Sequence, residues 1–162
     1  MSDLLQKAPL VYEPLRTNRF IVRFPADLGI QEWNVESFAR PQIEISTDPI
    51  DFMNTKTWTI GSYEWKTIQL KLRDPIGPSS TQAVMEWVRL HAESVTGRMG
   101  YAAGYKRDIE LEMTDPTGAV VQKWIYKNCL ITAANFGELQ YKGGGVATIT
   151  VTIQMDYAIL CY

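Results

Sequence analysis

The chain has 162 residues, 46% of them hydrophobic and 21% charged, and a net charge of −2. That length suits a single domain, read as 1–162, with a real core, and the near-neutral balance gives no electrostatic case for gripping nucleic acid or an acidic membrane. Two cysteines are too few for a disulfide framework, and no apolar run approaches the ~20 residues of a membrane helix.

The N-terminus carries Asp3 and no basic patch ahead of an apolar run, so a secretory signal is not expected and synthesis in a reducing cytoplasm is. Residues 1–15, with Pro9 and Pro14, read as an arm. Arg19–Pro25 is a first strand, with Phe20, Val22 and Phe24 on one face. A turn at Asp27–Gly29 leads to a second strand near Gln31–Phe38, in which Trp33 and Val35 alternate with Glu32, Asn34 and Glu36. Pro41 interrupts it, and Gln42–Thr47 resumes with Ile43 and Ile45. Asp48–Gly61 is mixed and reads as a long loop or a protruding hairpin. Glu64–Leu72 is a further strand with Ile68, Leu70 and Leu72 in phase.

One helix is predicted over Ser80–Thr96. Ser79 and Gln82 form a capping-box arrangement, Val84, Trp87, Val88, His91 and Val95 fall at helical spacing, and Gly97 supplies a C-terminal cap. Arg98–Arg107 is a connection rich in glycine and tyrosine. Asp108–Thr114 is a strand, Asp115-Pro116-Thr117-Gly118 a hairpin turn, and Ala119–Lys127 and Cys129–Ala134 two more strands. From Val146 to Tyr157 apolar and polar residues alternate, which predicts a twelve-residue strand ending in a short tail, 158–162. The apolar burial of such a strand alone does not offset the cost of ordering it, so it needs paired neighbours along most of its length, some of them from other copies. The expected fold is mainly β: two packed antiparallel sheets, as a sandwich or barrel, flanked by one helix and carrying a long protruding loop.

Catalytic and cofactor chemistry finds little support. His91 is the only histidine and lies on the apolar stripe of the helix, where it reads as a packed side chain, since a metal site needs several clustered ligands. Cys129 falls inside a strand pattern and reads as a small core residue. Gly143-Gly144-Gly145 enters a strand and lacks the Lys-Ser/Thr and helix of a phosphate loop. Tyr101 and Tyr105, interleaved with Arg98, Lys106 and Arg107, suit either a solvated connector or a single-strand binder, the connector being the simpler reading. No enzyme, metal or cofactor is expected.

Three segments together carry a resemblance: Phe52-Met53-Asn54-Thr55-Lys56 in the long loop, Asn135-Phe136-Gly137-Glu138-Leu139-Gln140, and the closing Thr150-Val151-Thr152-Ile153-Gln154-Met155-Asp156-Tyr157. In this order the chain resembles the tail tube proteins of contractile-tailed bacteriophages, which are related to the tubes of contractile injection systems. The resemblance implies a homo-hexameric ring that stacks into a tube inside a sheath. Baseplate and tail terminator proteins close its ends, and a tape measure protein and then DNA occupy its lumen without sequence-specific binding. The implied home is the virion tail, assembled in the host cytoplasm. If each of six subunits gives four strands, the barrel has about twenty-four and a bore of roughly 35–40 Å.

Within that frame Phe52, Met53, Asn54, Lys56 and Trp58 are the expected ring-to-ring contact, because exposed apolar clusters mark interfaces. A core position for Trp58 at the start of the next strand is the competing reading. Asp108, Glu110 and Glu112 share the wet face of one strand and are the expected acidic lining of the lumen, against the alternative of a charged outer face. Glu32, Glu36 and Glu44 would add stripes if their strands lie alongside. Three other functions stay open: the tube of an injection particle without DNA, a monomeric ligand-binding β-barrel, and a carboxylate-pair enzyme.

Overall fold

The computed structural model describes residues 11–162, so residues 1–10 of the expected arm lie outside the described residues. The elements in chain order are β1 (Phe20–Arg23), β2 (Val35–Phe38), β3 (Ile43–Phe52), β4 (Thr55–Trp65), β5 (Ile68–Arg73), α1 (Ser80–His91), α2 (Ala102–Tyr105), β6 (Arg107–Thr114), β7 (Val120–Asn135), β8 (Thr148–Gln154) and β9 (Tyr157–Leu160). All strand pairs are antiparallel. Residues 120–135, expected as two strands, form one sixteen-residue strand.

β7 serves two sheets. Its first half pairs with β6 on one side and β9 on the other, and its second half pairs with β8. Sheet one is therefore β1-β6-β7-β9, and sheet two is β7-β8-β5-β2. The strand changes sheet at Asn128, whose φ of +54° suits asparagine better than most residues. The Asp108 carboxylate accepts the Asn128 N–H at 3.0 Å and the Lys127 ammonium at 3.1 Å. Partial burial pushes the Asp108 carboxyl up, but these two donors outweigh it and hold it below its ordinary range.

The alternation read over the last strand is present, with Ile149, Val151, Ile153 and Met155 buried. Its length is not. The strand stops at Gln154, turns at Met155–Asp156 and re-enters sheet one as β9 from Tyr157, so residues 158–160, expected in a tail, are part of a paired strand. β8 has both neighbours, β5 and β7, inside its own chain. The need for foreign partners inferred from strand length disappears. The second predicted strand is also shorter: Glu32–Asn34 is a single 3₁₀ turn, which leaves Trp33 exposed.

Between the sheets lie Leu70, Leu72, Ile149, Val151 and Ile153 from sheet two and Val22, Ile109, Leu111 and Tyr126 from sheet one. α1 adds Val84 and Trp87. The Trp87 indole N–H donates to the Tyr105 carbonyl at 2.8 Å, and the Tyr126 hydroxyl to the Ala39 carbonyl at 3.0 Å. Burial raises the Tyr126 phenol and pushes the Cys129 thiol up to about 12, so Cys129 behaves as a core residue, as its pattern implied. His91 is likewise structural. Its Nε2 accepts the Ile131 N–H at 3.0 Å, its Nδ1 lies 2.8 Å from the Trp87 carbonyl, and its ring stacks on Tyr105.

α1 starts as the capping residues require: the Ser79 hydroxyl accepts the Gln82 N–H at 3.4 Å. It ends at His91 and not at Thr96, because Ala92 turns extended and bridges to Met99; Gly97, at φ +69°, turns the intervening loop. The Asp74 carboxylate fastens the helix start by accepting the Thr81 hydroxyl, the Thr81 N–H at 3.4 Å and the Ser79 hydroxyl at 3.2 Å. The Thr81 hydroxyl is the largest reason that the Asp74 carboxyl sits below its usual range. A folded-state value below the unfolded ~3.9 gives stability that is complete above that value and lost as pH falls through the folded one. Asp74→Ala is expected to lower stability at pH 7 by about 1–2 kcal/mol. The gap to wild type should shrink below pH ~4; thermal melts of both proteins at pH 7 and pH 3 measure it.

Candidate functional site

The segment expected as a loop or protruding hairpin is the latter. β3 and β4 form an isolated two-stranded ribbon that, among the described residues, pairs with no other strand. It runs straight on from sheet two, because β2 leads into β3, β4 leads into β5, and the Lys66 N–H donates to the Gln42 carbonyl at 2.9 Å across the junction. At ~3.4 Å per residue the eleven residues of β4 carry it about 35 Å outward. An isolated ribbon of this kind is marginal in water unless something packs on it.

Register places opposite chemistry on its two faces. Ile43, Ile45 and Pro49 stand beside Trp65, Tyr63 and Trp58, and Ile60 lies opposite Thr47 on the same side. Trp65 packs on the core, so this apolar face prolongs the inner side of sheet two beyond the end of sheet one. The other face carries Glu44, Ser46, Asp48 and the threonines 55, 57 and 59, with Ile50 and Phe52 exposed among them toward the tip. Glu44 and Glu64 are directly opposed there, and the Lys66 ammonium bridges them; hydrogen bonding to Glu44 is the main reason Lys66 holds its proton more tightly than an ordinary lysine. A bulge lets β4 keep its apolar phase past Gly61, where a Cβ would stand 2.8 Å from the Ser46 hydroxyl oxygen.

The expected contact residues divide over this ribbon. Trp58 belongs to the apolar face and is 61% exposed, which rules out the core position. Lys56 lies near the tip on the same side, 3.9 Å from Asp51. Phe52, 70% exposed, points to the polar face. Met53 and Asn54 make the two-residue turn, with Met53 89% exposed at φ +53°, a conformation that is uncommon for a residue like methionine. Ile43 and Ile45, read from the sequence as ordinary strand residues, belong to the same surface, as do Ile60 and Tyr63. A second exposed patch, Leu139 and Tyr141, lies in the loop between β7 and β8.

Asp108, Glu110 and Glu112 do share one face of β6, as alternation predicted, but none is a free carboxylate. Asp108 pairs with Lys127 at 3.1 Å, Glu110 with Lys123 at 3.4 Å, and Glu112 with Arg23 at 3.0 Å. Arg23 also reaches Glu32 at 3.5 Å, and hydrogen bonding to Glu112 is the main reason its pKa is raised. The stripe is charge-balanced. Glu36 and Glu44 lie on sheet two and its ribbon, not beside the β6 stripe.

No protein-family model and no curated protein matches the sequence. Solved structures do match in fold. A chain of the anti-feeding prophage cap, the tube-terminating cap, is 20% identical with a TM-score of 0.75, over 96% of this chain and 95% of that one. A chain of the PVC sheath–tube complex, an extracellular contractile injection system, is 18% identical with a TM-score of 0.72, over 93% of each. Hcp1 from Flavobacterium johnsoniae is 9% identical with a TM-score of 0.55, over 88% of this chain and 94% of that one. The two-sheet fold is thus shared with components of contractile-system tubes, in line with the sequence resemblance.

Replacing Phe52 and Met53 together by serine is expected to shift the melting stability by under ~0.5 kcal/mol, since both side chains are solvent-facing. Sedimentation should show weaker self-association than wild type. Unfolding, or unchanged association, would remove the tip from the contact surface.

Proposed function

We propose that this chain is the wall subunit of a contractile-system tube, structural and not catalytic. Six copies close into a ring, rings stack, and the tube sits within a sheath, between a baseplate and a terminator. The observation that carries this is the β3–β4 ribbon: a long two-stranded arm whose apolar face has no cover among the described residues, on a fold shared with tube components. Open apolar surface of this extent marks a protein built to be covered by others of its kind.

Sheet two contributes four strands, and four from each of six subunits would give the roughly twenty-four of a barrel wide enough for a bore of about 35–40 Å. The resemblance to phage tail tubes makes a genome the cargo, with a tape measure protein preceding it, and the virion tail the final location. An injection particle without DNA cargo is the second reading, favoured by the likeness to a chain of an extracellular contractile injection system. A monomeric ligand-binding barrel fits poorly, because Trp87, Tyr126 and the sheet residues fill the interior.

Electron microscopy of the purified protein is expected to show six-fold rings, and tubes at higher concentration. A species that sediments only as monomer at every concentration tested, with no rings on the grid, would overturn the assembly reading. DNA protected from nuclease in the intact particles would select the phage reading over the injection-particle one.

A further inference from the structure

The strand order gives the sandwich one closed side and one open side. β7 and the turn from β8 to β9 join the two sheets at the Asn128 corner. At the far side β1 and β2 are edges, paired only with β6 and β5 among the described residues. A groove of about 680 Å³ lies between these two edges. Phe20 and Val22 of β1 and Val35 of β2 give it apolar walls, and Thr17 and Asn18 line it ahead of β1. Trp33 stands at the same groove and is 85% exposed. Its position is fixed from both sides. The Asn34 N–H donates to the Gln31 carbonyl at 3.1 Å to close the 3₁₀ turn, Asn34 is buried, and Arg23 of β1 holds Glu32 at 3.5 Å. A tryptophan held out to solvent on an ordered turn is the residue type that anchors contacts.

The closed side carries the complementary shape. β9 is the other edge of sheet one, and its pairing runs on past Leu160. The Cys161 N–H donates to the Lys123 carbonyl at 2.8 Å, and the Lys123 N–H to the Tyr162 carbonyl at 2.8 Å. Ala158, Leu160 and Tyr162 therefore alternate onto one side, the side that faces sheet two. Ala158 packs on the core, whereas Leu160 and Tyr162 stay 51% and 62% exposed. Sheet one has four strands of alternating direction, so β9 of one copy set against β1 of another keeps the antiparallel order.

We propose that the groove between β1 and β2 receives the Leu160–Tyr162 edge of a second copy, with Trp33 as its anchor, as a side-to-side contact within the ring. This rests on the tube reading above and concerns a contact that the ribbon does not make. The apolar side chains of the incoming edge face the space between its own sheets, and the groove is the same space opened at the other side of the next copy. The two surfaces differ, so the contact is heterologous, and repetition about one axis closes a ring in which every groove is filled. It also covers two sheet edges that are otherwise open to chance pairing.

The test combines Asn18→Cys, which sets a thiol in the groove, with the native Cys161, which is exposed while Cys129 is buried. Rings of this variant are treated with a short bifunctional maleimide and separated under denaturing conditions. The expected result is a ladder of linked chains up to the hexamer, absent from the parent and from Asn18→Cys/Cys161→Ser. Trp33→Ala is expected to keep the parent's melting temperature and to need about tenfold more protein to form rings. Rings that yield no ladder would overturn the proposal. So would links that persist without Cys161, which would join groove to groove, or Trp33→Ala rings at the parent's own concentration. A parent that forms no rings would refute the tube reading and this contact with it, so ring formation by the parent separates the two failures.

Discussion

β7 can belong to both sheets only because it bends at Asn128. A sixteen-residue strand kept straight would belong to one sheet and leave the other without its fourth member. The bend requires a left-handed residue and leaves backbone groups unpaired at the corner, and Asp108 supplies the repair by accepting the Asn128 N–H. Asp156 does the corresponding work on the neighbouring strand: its N–H reaches the Lys127 carbonyl at 3.1 Å, and its carboxylate takes the Lys106 ammonium at 3.1 Å. Both strands thus cross between sheets at one place, held by two carboxylates. α1 locks the seam from the other side, through the bond from the Ile131 N–H to His91. A core of two sheets and one helix follows from that corner.

What the corner does not provide is cover for the ribbon. Sheet one ends where β1, β6 and β9 end, but β3 and β4 continue sheet two beyond that limit. Inside the body, the apolar side of sheet two is buried by Ile109, Leu111 and Tyr126; along the ribbon the same side meets solvent. The chain therefore leaves its open apolar surface on one side, away from its own core. The opposed Glu44 and Glu64, bridged by Lys66, keep the other face hydrated at the end next to the body.

Much of this was legible in the residues because period two is a strong signal. The alternation at Ile68–Leu72 and Ile149–Ile153, the Ser79 cap and the Asp115 turn all appear where the pattern put them; Asp115 accepts the Thr117 N–H at 3.0 Å and the Ala119 N–H at 2.8 Å. Alternation does not say when a strand changes partner. Met155 keeps the phase of β8 while the backbone turns, so the run read as twelve residues when seven are paired in β8. Helical spacing failed in the same way at Val95, which fits the stripe but follows an extended Ala92. The ribbon was half legible: Gly61 and Ser62 break the phase between Ile60 and Tyr63, which hides a continuous apolar face from any reading that assumes a regular strand.

Charge was the least legible property of all. Asp108, Glu110 and Glu112 announce an acidic stripe when read along one strand, but a sheet face is a two-dimensional object. Lys123 and Lys127 come from β7 and Arg23 from β1, up to 89 residues away in the chain, and they neutralise the stripe without leaving a mark on its own sequence. The same logic explains why Thr148, Thr150 and Thr152 attract little notice. Their meaning lies in what stands beside them, Lys71, Gln69 and Asn135 along the rows and Arg73 at the rim. The chemistry of such a face is visible only after the strands have been set side by side.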